Sequence, residues 1–254
     1  MAEALFALGE GLHWAPSSAP QGEFIAIHDR VEASGAFLVH HFLALFLKAG
    51  HRVSLVHVAN SKEHYAAVGR KLLTRGFKGV NLTTSVDKQG LRMLDGFAQS
   101  VPTAVDMLNQ IRGDVTAAKA QGTPVSIVID DISTLKWQWG RQQLVQFLRC
   151  CRALTLESQG RATFVVLSHA DVDPSSSSDF PIASINPAID EIASVLLTVA
   201  PLPSGYFKDV HGTISVHRQC QGLDGVFDKS SMSFKVLENS VKCFASGGDA
   251  LRSL

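Results

Sequence analysis

Apolar positions along the chain fall into short runs separated by helical stripes. Residues 24–29 read Phe-Ile-Ala-Ile-His-Asp, a loop follows that ends in Ser34-Gly35, and residues 36–48 are apolar almost all round, which predicts a strand, a turn and a buried helix of about three turns. Gly50 ends that helix, and Arg52 to Val58 alternates as a second strand. Asn60 or Ser61 can cap a helix with Tyr65, Val68 and Leu72 on one face and Gly76 as its stop. Asn81 to Thr84 makes a weak third strand, and Val86 to Val101 carries no clear pattern. From Thr103 the signal returns: Ala104, Leu108, Ile111, Val115 and Ala118 mark a helix ended by Gly122 and Pro124. Val125 to Ile129 reads as a continuous apolar run closing on Asp130-Asp131, the pattern of a strand buried on both faces. Arg141 to Ser158 is a helix with Leu144, Leu148, Cys151 and Leu154 inward, and Thr163 to Leu167 is another buried strand.

The last third changes character. Ser175 to Ser178 is low-complexity, Asn186-Pro187 opens a short helix, and Val195–Val199, Thr213–His217, Met232–Leu237 and Ser240–Phe244 read as consecutive strands, with Glu238-Asn239 turning the last pair. Alternating strands and helices followed by antiparallel strands predict an α/β fold: a mostly parallel central sheet with helices on both faces and antiparallel C-terminal strands, the layout of RecA-like ATPase domains. Residues 1–21 read as an N-terminal arm and linker, with an amphipathic piece at Leu5 to Leu12 and a Pro/Ser/Gly stretch from Pro16, and residues 22–254 as the domain.

Composition narrows the partners. The 254 residues are 46% apolar, ample for a core, and 23 Lys plus Arg balance 23 Asp plus Glu, so net charge steers the chain to neither nucleic acid nor an anionic membrane. Cys150, Cys151, Cys220 and Cys243 have no metal-ligand spacing and read as free thiols. There is no signal-peptide pattern, and the apolar run from Ala36 to Leu47 is too short for a bilayer, which predicts a soluble intracellular protein without a membrane partner.

The turn between the first strand and helix is where a RecA-type ATPase cradles phosphate. Laying G-x-x-x-x-G-K-[ST] on Arg30 to Phe37 keeps Gly35 but puts Arg30 at the first glycine and Ala36 and Phe37 at the Lys and Ser/Thr positions. No ammonium remains for phosphate and no hydroxyl for Mg²⁺, while Asp29 and Glu32 bring carboxylates where phosphate oxygens would lie. The nucleotide motifs are degenerate, and no cofactor is expected. Asp130-Asp131 stands where such ATPases keep a Mg²⁺-holding carboxylate, yet without the first motif it reads as structural, capping the turn before Ser133. The ten histidines make no ligand pattern, and Ser168-His169-Ala170-Asp171 cannot form a triad as sequence neighbours, so no catalytic or metal residue is assigned. Two loops at one end of the sheet are candidates for contacts: Ser133 to Gln143, with Lys136, Trp137, Trp139 and Arg141, and the Ser-rich stretch from His169 to Ile185. Indoles interleaved with cations can stack on bases or pack on a partner subunit.

Five segments carry a family resemblance: Gly35-Ala-Phe-Leu-Val-His-His-Phe-Leu, His64-Tyr65 with Val68-Gly69-Arg-Lys-Leu72, Val128-Ile-Asp-Asp-Ile-Ser133, Phe147-Leu-Arg-Cys-Cys-Arg152, and Asp209-Val-His-Gly212. In this order and spacing, from about residue 22 on, they resemble the family of sixth subunits of the Elongator complex; the arm and Gly222 to Ser231, read as a linker, stay outside the match. The resemblance implies a RecA-like fold without its nucleotide motifs, and no enzymatic activity of its own. It also implies a hetero-hexameric ring with Elongator subunits four and five, two copies each, alongside the remaining subunits. That ring binds tRNA and supports wobble-uridine (U34) modification, which places the chain in the cytoplasm, with the nucleus also compatible. Lys136, Trp137, Trp139, Arg141 and His169 are then the residues expected to face tRNA or a partner. Two other functions fit the same residues: a recombination accessory protein on single-stranded DNA, and an ATPase with an unorthodox phosphate site.

Overall fold

The computed structural model describes residues 12, 14–73, 90–96, 102–170, 186–202, 205, 207–219, 227–237 and 240–245. Nine strands form one sheet. In chain order the elements are β1 (Phe24–Asp29), α1 (Ala36–Lys48), β2 (Arg52–His57), α2 (Lys62–Leu73), β3 (Leu91–Asp95), α3 (Ala104–Ala120), β4 (Val125–Asp130), α4 (Ile132–Glu157), β5 (Ala162–His169), α5 (Asn186–Ile192), β6 (Val195–Ala200), β7 (Gly212–Gln219), β8 (Phe227–Leu237) and β9 (Ser240–Ala245). Their order across the sheet is β3-β2-β4-β5-β1-β6-β7-β8-β9. The strands from β3 to β6 are parallel neighbours and β7, β8 and β9 follow antiparallel, which is the RecA-like arrangement.

The central strands are apolar on both faces because both faces are covered. Alternate residues of β1 serve two cores: Ile25 and Ile27 pack with α1, and Phe24 and Ala26 pack with α3, α4 and α5. α1 buries Leu38, Val39, Phe42, Leu43, Leu45 and Phe46, each contributing about 1.5–3 kcal/mol by transfer from water. β6 and β7 alternate buried and half-buried residues, as expected of a sheet covered on one side. The front of the chain joins this core: Leu12 and Trp14 are buried beside α1, Trp14 meets Phe42 at 5.6 Å, and Arg218 of β7 lies over the indole and donates to the Leu12 carbonyl oxygen at 2.5 Å.

Four segments differ from the pattern's reading. The third strand of the sheet is Leu91–Asp95, inside the stretch without a clear pattern, whereas residues 81–84 lie outside the described residues. The run in β4 is not wholly apolar: Ser126 is buried there and bonds His51 Nδ1 at 2.8 Å, which satisfies its hydroxyl. Residues 133–143 are not a loop; α4 begins at Ile132 and runs to Glu157, broken only at Gly140, whose φ of 76° and ψ of 162° leave the helical region. Finally, β8 begins at Phe227, so the end of the expected linker is strand paired with β7. The stretch 171–185 lies outside the described residues, and among those described no helix is long and apolar enough to cross a membrane.

Candidate functional site

Parallel strands end together, and the carboxyl ends of β1, β4 and β5 form the crevice where open α/β sheets hold ligands. Asp29, Asp130-Asp131 and His169 stand at those ends. Asp29 is the last residue of β1 and is in register with His169, the last of β5. The two are bonded, Asp29 Oδ1 to His169 Nδ1 at 2.5 Å, and the other ring nitrogen, Nε2, lies 3.1 Å from Asp131 Oδ2. A carboxylate on each ring nitrogen favours the doubly protonated imidazolium of His169. Its bonds to Asp131 and Asp29 push its pKa up to about 10 against the opposing effect of burial.

Four amides of this turn are engaged within the chain. Arg30 and Ala33 exchange backbone hydrogen bonds in a tight hairpin, with Val31 and Glu32 at its exposed tip. The Gly35 N–H donates to Asp29 Oδ2 at 2.7 Å, and the Ala36 N–H to Ser34 Oγ at 3.2 Å. Gly35 is favoured by close approach rather than by its φ of −89°: a Cβ there would lie 3.1 Å from Ile27 Cγ2 and 3.2 Å from Asp29 Cβ, tight enough that these neighbours would have to give by a few tenths of an ångström. Phe37, at the Ser/Thr position of the motif, packs its ring 5.0 Å from that of Phe234 in β8. In this turn the buried Asp29 carboxylate takes the Gly35 amide, which in a phosphate-binding turn would face the anion.

The second carboxylate pair divides its work. Asp131 caps α4, accepting the Thr134 N–H at 2.6 Å, as the sequence led one to expect. Burial raises its pKa, but the His169 bond and the Thr134 amide outweigh burial and hold it below the ordinary carboxylate value. Asp130 points the other way and receives the Tyr65 hydroxyl of α2 at 2.5 Å. Burial pushes its pKa up to about 6, the Tyr65 bond opposes this, and the neighbouring Asp131 charge adds to it. Burial and the Asp130 charge push the Tyr65 phenol up in turn. Nearby, His28 Nε2 meets Asp190 Oδ1 at 2.8 Å and Ser168 Oγ meets Asn186 Oδ1 at 3.2 Å, mooring α5 to the ends of β1 and β5.

The residues expected to face a partner do not converge. Lys136 is half-buried in the first turns of α4, and Trp137 is 73% exposed. Trp139 turns inward, its Nε1–H donating to the Pro102 carbonyl oxygen at 3.0 Å and its ring edge-on to Phe147 at 5.1 Å. Arg141 is exposed just past the Gly140 break and lines a groove between α4 and α5 with Arg149 and Glu191. His169 is not on a loop: it ends β5, in the bridge. Sequence reasoning missed that bridge and the Tyr65–Asp130 contact. The available signal was that Asp29, Asp130-Asp131 and the Ser168-His169 pair each close an apolar strand.

The family model for Elongation complex protein 6 matches residues 6–112 and 105–238. Elongator complex protein 6 of Danio rerio is 25% identical over 259 residues, covering 93% of this chain and 95% of its own. The human protein of that name is 27% identical over 263 residues, with the same coverage, and that of Xenopus tropicalis 28% over 254 residues, covering 89% and 91%. A match running through nearly the whole sheet has one consequence for classification: the chain belongs to the Elongation complex protein 6 family.

Proposed function

We propose that this chain is a non-catalytic subunit of the Elongator complex, forming a RecA-like hetero-hexameric ring with subunits four and five that binds tRNA and supports wobble-uridine modification in the cytoplasm. The observation that carries this reading is the closed phosphate site, in which Asp29 holds the Gly35 amide and His169 bridges Asp29 to Asp131. A domain with the RecA-like sheet and a self-occupied cradle keeps the shape that packs head to tail in rings while giving up turnover. The relatives' name, Elongator complex protein 6, supports the choice of complex. Exposed Trp137 and Arg141 supply the kind of side chains that meet RNA or a neighbouring subunit.

Native mass by light scattering tests the reading, with the chain alone and after co-expression with subunits four and five. One species at the mass of two copies each supports it; elution of the chain apart from the others ends it. On the assembled ring, tRNA should outcompete single-stranded DNA at equal salt, and clear preference for DNA would favour a recombination role instead.

A further inference from the structure

We propose that His169 is a built-in counter-cation that holds the ends of β1, β4 and β5 in one arrangement in place of a bound nucleotide, so that the chain joins its partners in the same way whatever nucleotide is present. This rests on the reading of the chain as a ring subunit. Three carboxylates, Asp29, Asp130 and Asp131, are 1–3% exposed in one crevice, and buried charges persist only when paired and hydrogen-bonded. The His169 ring touches two of them. Each of those two has its other oxygen on a helix start: Asp29 on the Gly35 amide that precedes α1, Asp131 on the Thr134 amide in the first turn of α4. The His169 amide adds a third tie, donating to Ser133 Oγ at 2.8 Å. One ring thus joins three strand ends and two helix starts. A ligand shifts a conformational equilibrium only through contacts that differ between states. Here the corresponding contacts belong to the chain itself, which leaves a nucleotide nothing to change.

The experiment uses the full chain with subunits four and five. Assembly affinity of the wild type is measured without nucleotide, with ADP and with Mg-ATP, and it should stay within about twofold. His169→Gly should weaken assembly by about tenfold or more, and added imidazolium should restore it where neutral pyrazole of the same shape does not. A strengthening of wild-type assembly by Mg-ATP that maps to this chain's interfaces, an unaltered glycine variant, or equal rescue by pyrazole overturns the proposal. Should the variant fail to fold, nitrogen-15 NMR of the wild-type chain alone decides on the cation: both His169 ring nitrogens should carry protons near pH 8, and a singly protonated ring overturns it. Failure of the wild type to assemble at all sinks the ring reading and the partner half of this proposal, while the NMR result still decides the bridge.

Discussion

Tyr65 and Asp130, 65 positions apart, meet at 2.5 Å across the mouth of the sheet, the phenol of α2 closing over the last carboxylate of β4. Tyr65 is 1% exposed and Asp130 3%, so neither has water as an alternative partner. Tyr65→Phe removes the hydroxyl and leaves the carboxylate unsatisfied; the expected cost is about 2 kcal/mol at pH 7, read from urea unfolding.

Asp130 also sets a pH dependence of its own. Its folded pKa, about 6, lies above the ordinary 3.8, so the folded state holds the proton more tightly. The penalty for ionising it is absent below about pH 4, grows as pH rises to 6, and is constant above, amounting to about 3 kcal/mol by linkage. Asp130→Asn should therefore gain stability over the wild type between pH 4 and 7. A difference that does not change over that interval would show that Asp130 ionises normally.

His169 acts in the opposite range. Its pKa is raised from 6.5 to about 10, so its stabilisation is complete below pH 6.5, declines as pH rises, and is lost above about 10. His169→Gln should cost about 3 kcal/mol at pH 6, because two buried carboxylates lose their counter-charge, and the gap from wild type should close in alkali. Unfolding curves at pH 6, 8 and 10 check both the size and the direction.

Restoring the missing motif residues should not restore nucleotide binding. Ala36→Lys with Phe37→Ser supplies the ammonium and hydroxyl, but Asp29 still holds the Gly35 amide and the Arg30–Ala33 hairpin still engages its own backbone. Calorimetry with Mg-ATP should show no heat of binding, and the loss of the Phe37–Phe234 packing should cost about 2 kcal/mol or more.

The two indoles of α4 should separate stability from contact. Trp139→Ala loses a hydrogen bond and an edge-on ring contact and should destabilise by about 3 kcal/mol. Trp137→Ala, on an exposed side chain, should change stability by no more than about 0.5 kcal/mol while weakening tRNA binding by the assembled ring.

How far the sequence reached follows from the range of each interaction. Local signals were readable: the Asp131 cap, the inward face of Leu144, Leu148, Cys151 and Leu154, and the helix at Asn186 all come from neighbours within a few positions. The start of α4 reads as a loop although its stripe is there, Ile132, Leu135 and Trp139 at helical spacing, because Gly140 interrupts the pattern with a residue outside the helical region. β3 escaped because only Leu91 and Leu94 of it are buried and β2 is its one neighbour among the described strands. The His169 bridge could not be read at all, since its partners are 140 and 38 positions away and meet it only once the strand order is fixed.

The docking of Leu12 and Trp14 under Arg218 has a consequence for how the protein is made. Leu12, the first of the described core residues, receives its guanidinium partner 206 positions later. During synthesis the Trp14 indole, packed beside Phe42 in the finished fold, must wait without that cover until β7 emerges. Emergence of β7, more than 200 residues after Leu12, is when this face of the domain becomes safe from aggregation.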